Sequence, residues 1–158
     1  MKWLILFALL FAGCGLQNGY YVKYNVQPKA VFVSNVGSPI ILIENYCKNE
    51  VYNNIYARFT QELDYTGKQG GVIKIFYKEF SEGFARPAFT QELTYDLSQS
   101  DTIQYKSTKI RVIEANNNSM KYEILETPLF RYPSDSKIDS LSDLCTQILM
   151  QRNSAALR

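Results

Sequence analysis

Apolar and polar positions alternate along much of the chain, and a period of two residues is typical of β-strands. Residues 72–80 show it clearly, because Ile73 and Ile75 fall on one face while Lys74 and Lys78 fall on the other. Alternation, or a short apolar run bounded by turn residues, predicts further strands at 30–34, 40–43, 89–97, 103–114 and 120–130. The three asparagines at 116–118 predict a tight turn between the last two of these strands.

Two segments instead repeat their apolar residues at the spacing of an amphipathic helix. The first begins at Asn49, which suits an N-cap, and ends before Gly67. Its apolar stripe consists of Val51, Tyr52, Ile55, Tyr56, Phe59 and Leu63. The second begins at Ser136, and its stripe consists of Ile138, Leu141, Leu144, Cys145, Ile148 and Leu149. We therefore expect an α+β fold: a single antiparallel or mixed sheet of about four to six strands, with two amphipathic helices packed on one face.

The N-terminus has the composition of an export signal. Lys2 is followed by an unbroken apolar run at 3–11, then by two small residues and Cys14. A membrane-spanning helix needs about 20 apolar residues, so this shorter run favours a signal peptide over a span. An ordinary secretory signal with an incidental cysteine is the alternative.

The segment Leu10–Cys14 resembles the lipobox of bacterial lipoproteins, although Phe11 occupies the position where that family usually has Leu. The resemblance implies a diacylglycerol and an N-acyl chain on Cys14, with no other cofactor and no metal expected. It also implies anchoring in the bacterial cell envelope, facing the periplasm. Gly15, rather than Asp, follows the cysteine, which permits sorting to the outer membrane.

These boundaries divide the chain into four parts. They are a signal peptide at 1–13, a lipidated cysteine and tether at 14–29, one α+β domain at 30–152, and a frayed tail at 153–158.

Composition narrows the possible functions. Loss of Lys2 with the signal reduces the formal net charge of +2 by one, and such a balanced chain argues against nucleic-acid binding. The sequence contains no histidine, which removes Ser-His-Asp and Cys-His catalysis and histidine metal ligands. We therefore expect a protein that is not an enzyme.

Two cysteines remain once Cys14 is lipidated, and export would bring them into an oxidising compartment. Cys47 lies just before the first predicted helix, and Cys145 lies on the core-facing stripe of the second. Helices on one face of the sheet would allow a disulfide between them. Two separate buried thiols are the alternative.

Charged residues suggest two further hypotheses. Hydrolysis by paired acids would require two carboxylates that face each other across a cleft. Acidic residues close in sequence occur at Glu62 and Asp64, Glu79 and Glu82, and Asp139 and Asp143. Basic side chains on neighbouring strands would form a patch for glycolipid phosphates or acidic protein loops, unless they are an ordinary polar sheet face. These are Lys74, Lys78, Lys106, Lys109 and Arg111.

The predicted layout is similar to that of the small lipoprotein subunit of the outer-membrane lipopolysaccharide-assembly translocon. The segment Leu10–Gly15 resembles that family's opening, but Leu16 follows where the family typically has Tyr. The resemblance implies a non-enzymatic accessory that binds an outer-membrane barrel and contacts lipopolysaccharide. An auxiliary lipoprotein of a lipid-transport ABC system and a carboxylate-dependent envelope hydrolase are the alternatives.

Overall fold

Residues 39–81 form an antiparallel meander of three long strands in the computed structural model of the chain, which describes residues 17–81, 84–85 and 89–156. The strands are β3 (Pro39–Asn49), β4 (Asn54–Gln69) and β5 (Val72–Ser81). Gly70 and Gly71 form the two-residue turn between β4 and β5, and Gly70 has a φ of +62°, a conformation that glycine adopts without steric cost.

The first predicted helix is wrong, because its residues form β4 and the turn that precedes it. Its apolar stripe does not become one buried face: Val51, Tyr52 and Ile55 are exposed. β4 is rich in β-branched and aromatic residues, and it is paired along both edges, with β3 and β5. Hydrogen bonds to two neighbours thus replace those of a helix.

Four further strands complete the first sheet. β1 (Asn18–Tyr24) and β11 (Ser136–Lys137) extend it beyond β3, while β6 (Phe84–Ala85) and β7 (Gln91–Asp96) both pair with β5. β1 lies within the segment 14–29 that was predicted as a tether, and it pairs with β3 over its whole length. The folded domain therefore includes residues 17–24, which were predicted as part of the tether.

The second sheet contains the remaining strands, which are β2 (Val31–Asn35), β8 (Thr102–Tyr105), β9 (Thr108–Ala115) and β10 (Ser119–Glu126). Their order is β2-β10-β9-β8. The predicted tight turn after β9 is confirmed, since the side-chain oxygen of Asn116 accepts hydrogen bonds from the backbone N–H groups of Asn118 and Ser119. The predicted strand 103–114 is divided by a turn into β8 and β9.

The predicted C-terminal helix exists, but it begins later than expected. Residues Ser136 and Lys137 belong to β11, and α1 spans Ser142–Ala156. Residues 153–156, predicted as a frayed tail, are its last turn; residues 157–158 lie outside the described part. No helix in the described ranges has the length and apolar character needed to cross a bilayer.

The α+β prediction of one sheet with two helices is therefore contradicted, because strands predominate, two sheets are present and α1 is the one α-helix of the described residues. The second sheet packs on the inner face of the meander near Ile41 and Leu63. α1 covers the other end of that face, near Cys47. Two separate elements, the second sheet and α1, therefore cover the one inner face of the long sheet, and we call them its two covers.

Two tyrosines hydrogen-bond across the interface between the sheets in opposite directions. Tyr65 of β4 is fully buried, and its hydroxyl donates to the carbonyl of Asn116 over 2.6 Å. Tyr122 of β10 is also buried and donates to the carbonyl of Ile40. Each phenol thus supplies apolar surface to the core and satisfies a backbone acceptor of the opposite sheet.

We expect Tyr122→Phe to lower the free energy of unfolding by about 1–3 kcal/mol, since the buried carbonyl of Ile40 would lose its side-chain donor. Urea denaturation monitored by circular dichroism measures this change. Tyr52→Phe is the matched control, because Tyr52 is exposed and should tolerate the same change. Equal stability of the two variants would contradict the role assigned to Tyr122.

Candidate functional site

The five basic residues predicted as a patch are not brought together on one surface. Lys74 and Lys78 lie on the outer face of β5 in the first sheet, opposite the buried Ile73 and Ile75. Lys109 and Arg111 lie on the outer face of β9 in the second sheet, and Lys106 lies in the β8–β9 turn. Because the sheets pack through their inner faces, their outer faces point in opposite directions.

Each of these cations also has an acidic partner. Lys74 is 3.2 Å from Glu92, Lys109 is 3.0 Å from Glu126, and Arg111 contacts Glu123. Lys106 is paired with Glu79 and Lys78 with Asp64. The arrangement is that of an outer sheet face with cross-strand ion pairs, and it leaves little net positive charge to attract phosphate groups.

One acidic pair predicted from the sequence, Glu62 and Asp64, shares a lysine. The Lys78 ammonium contacts the buried Asp64 carboxylate and lies 3.6 Å from Glu62. The hydrogen bond with Asp64 raises the pKa of Lys78, against the effect of burial. Ion pairing therefore accounts for this acidic pair. Of the other pairs, Glu82 lies outside the described residues, and Asp139 is 3.8 Å from Lys137.

A polar cluster that the sequence analysis did not identify lies between the two covers of the inner face. The Tyr77 hydroxyl donates to the Glu79 carboxylate and accepts hydrogen bonds of 2.7 Å from the Gln61 amide and the Lys106 ammonium. Tyr77 and Glu79 are both buried. Period-two alternation places Glu79 on the core-facing side of β5 with Ile75 and Tyr77, and this was the available sequence signal.

Aromatic rings hold Lys106 in position. Its ammonium lies 4.3 Å from the centroid of the Tyr77 ring and 5.5 Å from that of Tyr105, and the two rings pack 4.8 Å apart. Lys106 also has a φ of +50°, in the left-handed region that favours glycine. The turn therefore keeps a lysine at a conformationally unfavourable position, where its side chain reaches the buried carboxylate.

The protonation states of the cluster suit a fixed network rather than proton transfer. Burial raises the pKa of Tyr77, and its hydrogen bond to Glu79 raises it further. Burial also acts to raise the pKa of Glu79, but the Tyr77 hydrogen bond and the charge of Lys106 outweigh it and leave this pKa below 4.5. Near neutral pH the phenol is protonated and the carboxylate ionised, whereas a general acid or base works best with a pKa near the operating pH.

One groove of about 350 Å³, beside the end of β9, has two carboxylates in its lining, Asp101 and Glu114. Three other cavities lack either the volume or the paired acids of a hydrolase cleft. The cleft beside Tyr77 and Lys106 has a volume of about 50 Å³, well below the several hundred Å³ of a typical ligand site. Grooves of about 450 Å³ at the β4–β5 turn and about 320 Å³ along α1 have no carboxylate among the described residues that line them. Within the described ranges, no three Cys, Asp or Glu side chains are grouped as metal ligands.

The structure brings Cys47 and Cys145 together as a disulfide, with their Cα atoms 5.4 Å apart. Cys47 is on β3 and Cys145 on α1, and both are buried. The bond links residues 98 positions apart and ties the helix to the end of the meander that the second sheet leaves uncovered. Cys14, the predicted lipidation site, lies outside the described residues.

Strand β2 presents an open edge of the second sheet. It pairs with β10 on one side and with no other strand of the described residues. In an antiparallel pair, every second residue of a strand hydrogen-bonds to the neighbouring strand, and the residues between direct their N–H and C=O groups away from it. The Val36 N–H donates to the Asn118 carbonyl, so Val31 and Val33 are residues whose backbone groups point away from β10. Their side chains are exposed as well. Such an edge can accept an additional strand.

Replacing both disulfide cysteines, as Cys47→Ala with Cys145→Ala, should lower the free energy of unfolding by up to about 4–5 kcal/mol, because a loop of 98 residues would gain entropy in the unfolded state. Urea denaturation with and without a reductant measures the loss. The reductant should destabilise the parent protein and leave the double variant unchanged. A parent protein insensitive to reduction would contradict a stabilising disulfide.

The depressed pKa of Glu79 predicts a specific loss of stability in acid. A carboxyl whose folded pKa lies below its unfolded value of 4.5 contributes stability above that pH, and this contribution is lost as the pH falls through the folded pKa. Glu79→Gln should be less stable than the parent at neutral pH and should lose less stability on acidification below pH 4.5. Unfolding curves at several pH values test this. Glu114→Gln, on the exposed face of β9, is the control, and a matching pH profile for the two variants would contradict the prediction.

Comparison of the chain with protein-family models, with curated proteins and with solved structures found no match.

Proposed function

We propose that the protein is a lipid-anchored lipoprotein of the bacterial cell envelope, which acts by binding as a non-enzymatic accessory in envelope assembly or transport. The observation that carries the proposal is the distribution of the three cysteines. Cys47 and Cys145 form a disulfide, which persists in an oxidising compartment such as the periplasm. Cys14 is the cysteine left over, and it stands at the end of an export-type signal.

A binding role is supported by what the described charged groups do. Asp64 on the outer face and Glu79 on the inner face are engaged in ion pairs, and near neutral pH the Tyr77 phenol stays protonated and the Glu79 carboxylate ionised. The edge of β2, by contrast, has backbone groups available for pairing and exposed valines beside them. We infer that an envelope protein partner adds an extended segment to this edge.

The similarity to the lipopolysaccharide-assembly subunit rested partly on a layout with two helices, and the first of these is a strand. The proposal therefore rests on the anchor and the open edge, and it names the partner only as an envelope protein. An outer-membrane barrel would match the assembly role. An inner-membrane transporter would match the auxiliary role.

The test combines lipid analysis with crosslinking in cells. Mass spectrometry should find an acylated N-terminal Cys14, and Cys14→Ser should release the protein from the membrane fraction. A photoreactive amino acid at Val33 should capture an outer-membrane barrel or a transporter subunit. The same label at Ile113, which is exposed on β9 and is separated from the β2 edge by β10, is the matched control.

Two results would contradict the proposal. An unmodified Cys14 with unchanged membrane retention of Cys14→Ser would remove the anchor. Equal capture from Val33 and Ile113 would remove the β2 edge as the binding surface.

A further inference from the structure

The turn between β3 and β4 carries an exposed apolar tip, formed by Val51, Tyr52 and Ile55. Val51 is 66% exposed, Tyr52 73% and Ile55 43%, and Tyr52 is the most exposed of the large hydrophobic residues in the described part of the chain. The residues between them, Asn53 and Asn54, are polar but uncharged. Three large apolar side chains at the tip of one hairpin form a contact surface, whereas exposed apolar residues scattered singly need no explanation.

The first described residues of the chain lie at the base of this same tip. Asn18, the first residue of β1, pairs with Asn49, the last residue of β3, and the Gln17 carbonyl accepts a hydrogen bond of 2.9 Å from the Glu50 N–H. The Asn49 side chain bonds to the Asn18 side chain over 3.2 Å and to the Tyr52 N–H over 2.9 Å. Backbone and side-chain hydrogen bonds therefore fix the tip relative to the start of the fold.

The predicted lipidation site is separated from this point by very little chain. Cys14 precedes Gln17 by three residues, and three residues span at most about 11 Å even when fully extended. A lipid on Cys14 must therefore enter the bilayer close to the base of the tip. A tether of the predicted length, 14–29, would have left the domain free to take any orientation.

We propose that Val51, Tyr52 and Ile55 insert into the interfacial region of the membrane that holds the Cys14 lipid and thereby fix the orientation of the domain. This inference rests on the lipid anchor of the proposed function. Tyrosine suits that region, since its ring is apolar and its hydroxyl remains hydrated. The tip needs little affinity of its own, because the short anchor keeps it at a high local concentration next to the bilayer.

The charges around the tip are compatible with an anionic bilayer surface. Glu50, the acidic residue at its base, is 2.8 Å from the Lys137 ammonium and accepts a hydrogen bond from Tyr21 over 2.8 Å. Lys48 lies over the Tyr21 ring, 5.7 Å from its centroid. Lys137 also lies 3.8 Å from Asp139, so Lys137 and Lys48 together balance the charges of Glu50 and Asp139 near the base of the tip.

The orientation has a consequence for the binding edge. β3 runs from the second sheet at Pro39 to the tip at Asn49, and eleven residues of strand extend over about 33 Å. β2 reaches β3 through the short turn that ends at Pro39. With the tip in the membrane, β2 lies near the end of β3 that is remote from the bilayer, where a partner segment can reach it.

A single-tryptophan reporter tests the proposal. The one tryptophan of the chain, Trp3, lies in the predicted signal peptide, so the processed, lipidated protein is itself a background free of tryptophan. In that background, Tyr52→Trp places the reporter at the tip, and Val33→Trp is the matched control on the exposed face of β2. The lipidated proteins are inserted into vesicles of phosphatidylethanolamine and phosphatidylglycerol that contain a phospholipid brominated near the headgroup end of its acyl chain.

We expect the bromolipid to quench the Tyr52→Trp emission about twofold and to leave that of Val33→Trp unchanged, because bromine quenches only at close range and interfacial rings lie at this depth. Equal emission from the two variants, quenched or unquenched, would overturn the inference. The inference would also be overturned if the Tyr52→Trp reporter were protected from water in native membranes but not in these vesicles. A protein partner, rather than lipid, would then cover the tip.

Vesicle flotation of Cys14→Ser separates this inference from the proposed function. If flotation requires Cys14 and the tip reporter is not quenched, the anchor stands and the membrane tip is excluded. If Cys14→Ser floats like the parent and Cys14 carries no acyl chain, the anchor itself is excluded and the inference fails with it.

Discussion

The continuous antiparallel pairing of β3, β4 and β5 is the constraint on which the rest of the structure depends. It fixes which side chains share a face, since a shift of one residue would exchange the faces of a whole strand. The inner face is longer than the second sheet that covers it. Ile41 and Leu63 are buried under that sheet, whereas Cys47 lies beyond it and is covered by α1. The disulfide holds the helix at this second position.

The polar cluster lies between the parts of the inner face that the second sheet and α1 cover. In the register of the meander, Ile43, Gln61 and Glu79 form one row between the apolar row of Leu63 and the row of Cys47. Lys106 reaches this row from the second sheet and supplies the opposite charge. A buried carboxylate costs stability unless it is paired and hydrogen-bonded, so the network fixes how the second sheet sits on the first.

The long strands also separate two exposed features of the domain. The N-terminal segment enters beside the exposed tip of Val51 and Tyr52, and the open edge of β2 lies near the opposite end of β3. An anchor at one end and a protein-binding edge at the other would suit an accessory that stands on a membrane. In that arrangement the stiffness of the sheet, rather than a flexible linker, would set the height of the binding edge.

Local pattern was sufficient where one strand and one turn decide the structure. The alternation of 72–80 predicted β5 with its buried and exposed faces, and the asparagines at 116–118 predicted the turn after β9. The export-type signal at Cys14 is likewise a local pattern. The second helix was recognised, although the backbone pairing of Lys137 with Tyr21 delays its start.

Tertiary structure decided what the local pattern left ambiguous. Residues 49–66 have apolar spacing compatible with a helix, but strands on both sides satisfy the backbone of β4. Tyr20 and Val22 gave no strong strand signal, yet the free edge of β3 places β1 in the sheet. The Glu79 cluster likewise requires Lys106, 27 residues away in the chain. The sequence by itself determined local alternation and turns, because these depend on neighbouring residues. The N-terminal signal is read from the same kind of local pattern and stays a prediction. Only the tertiary structure decides which strands pair and which distant charged residues come into contact. Both depend on the backbone edges and sheet faces that become available during folding.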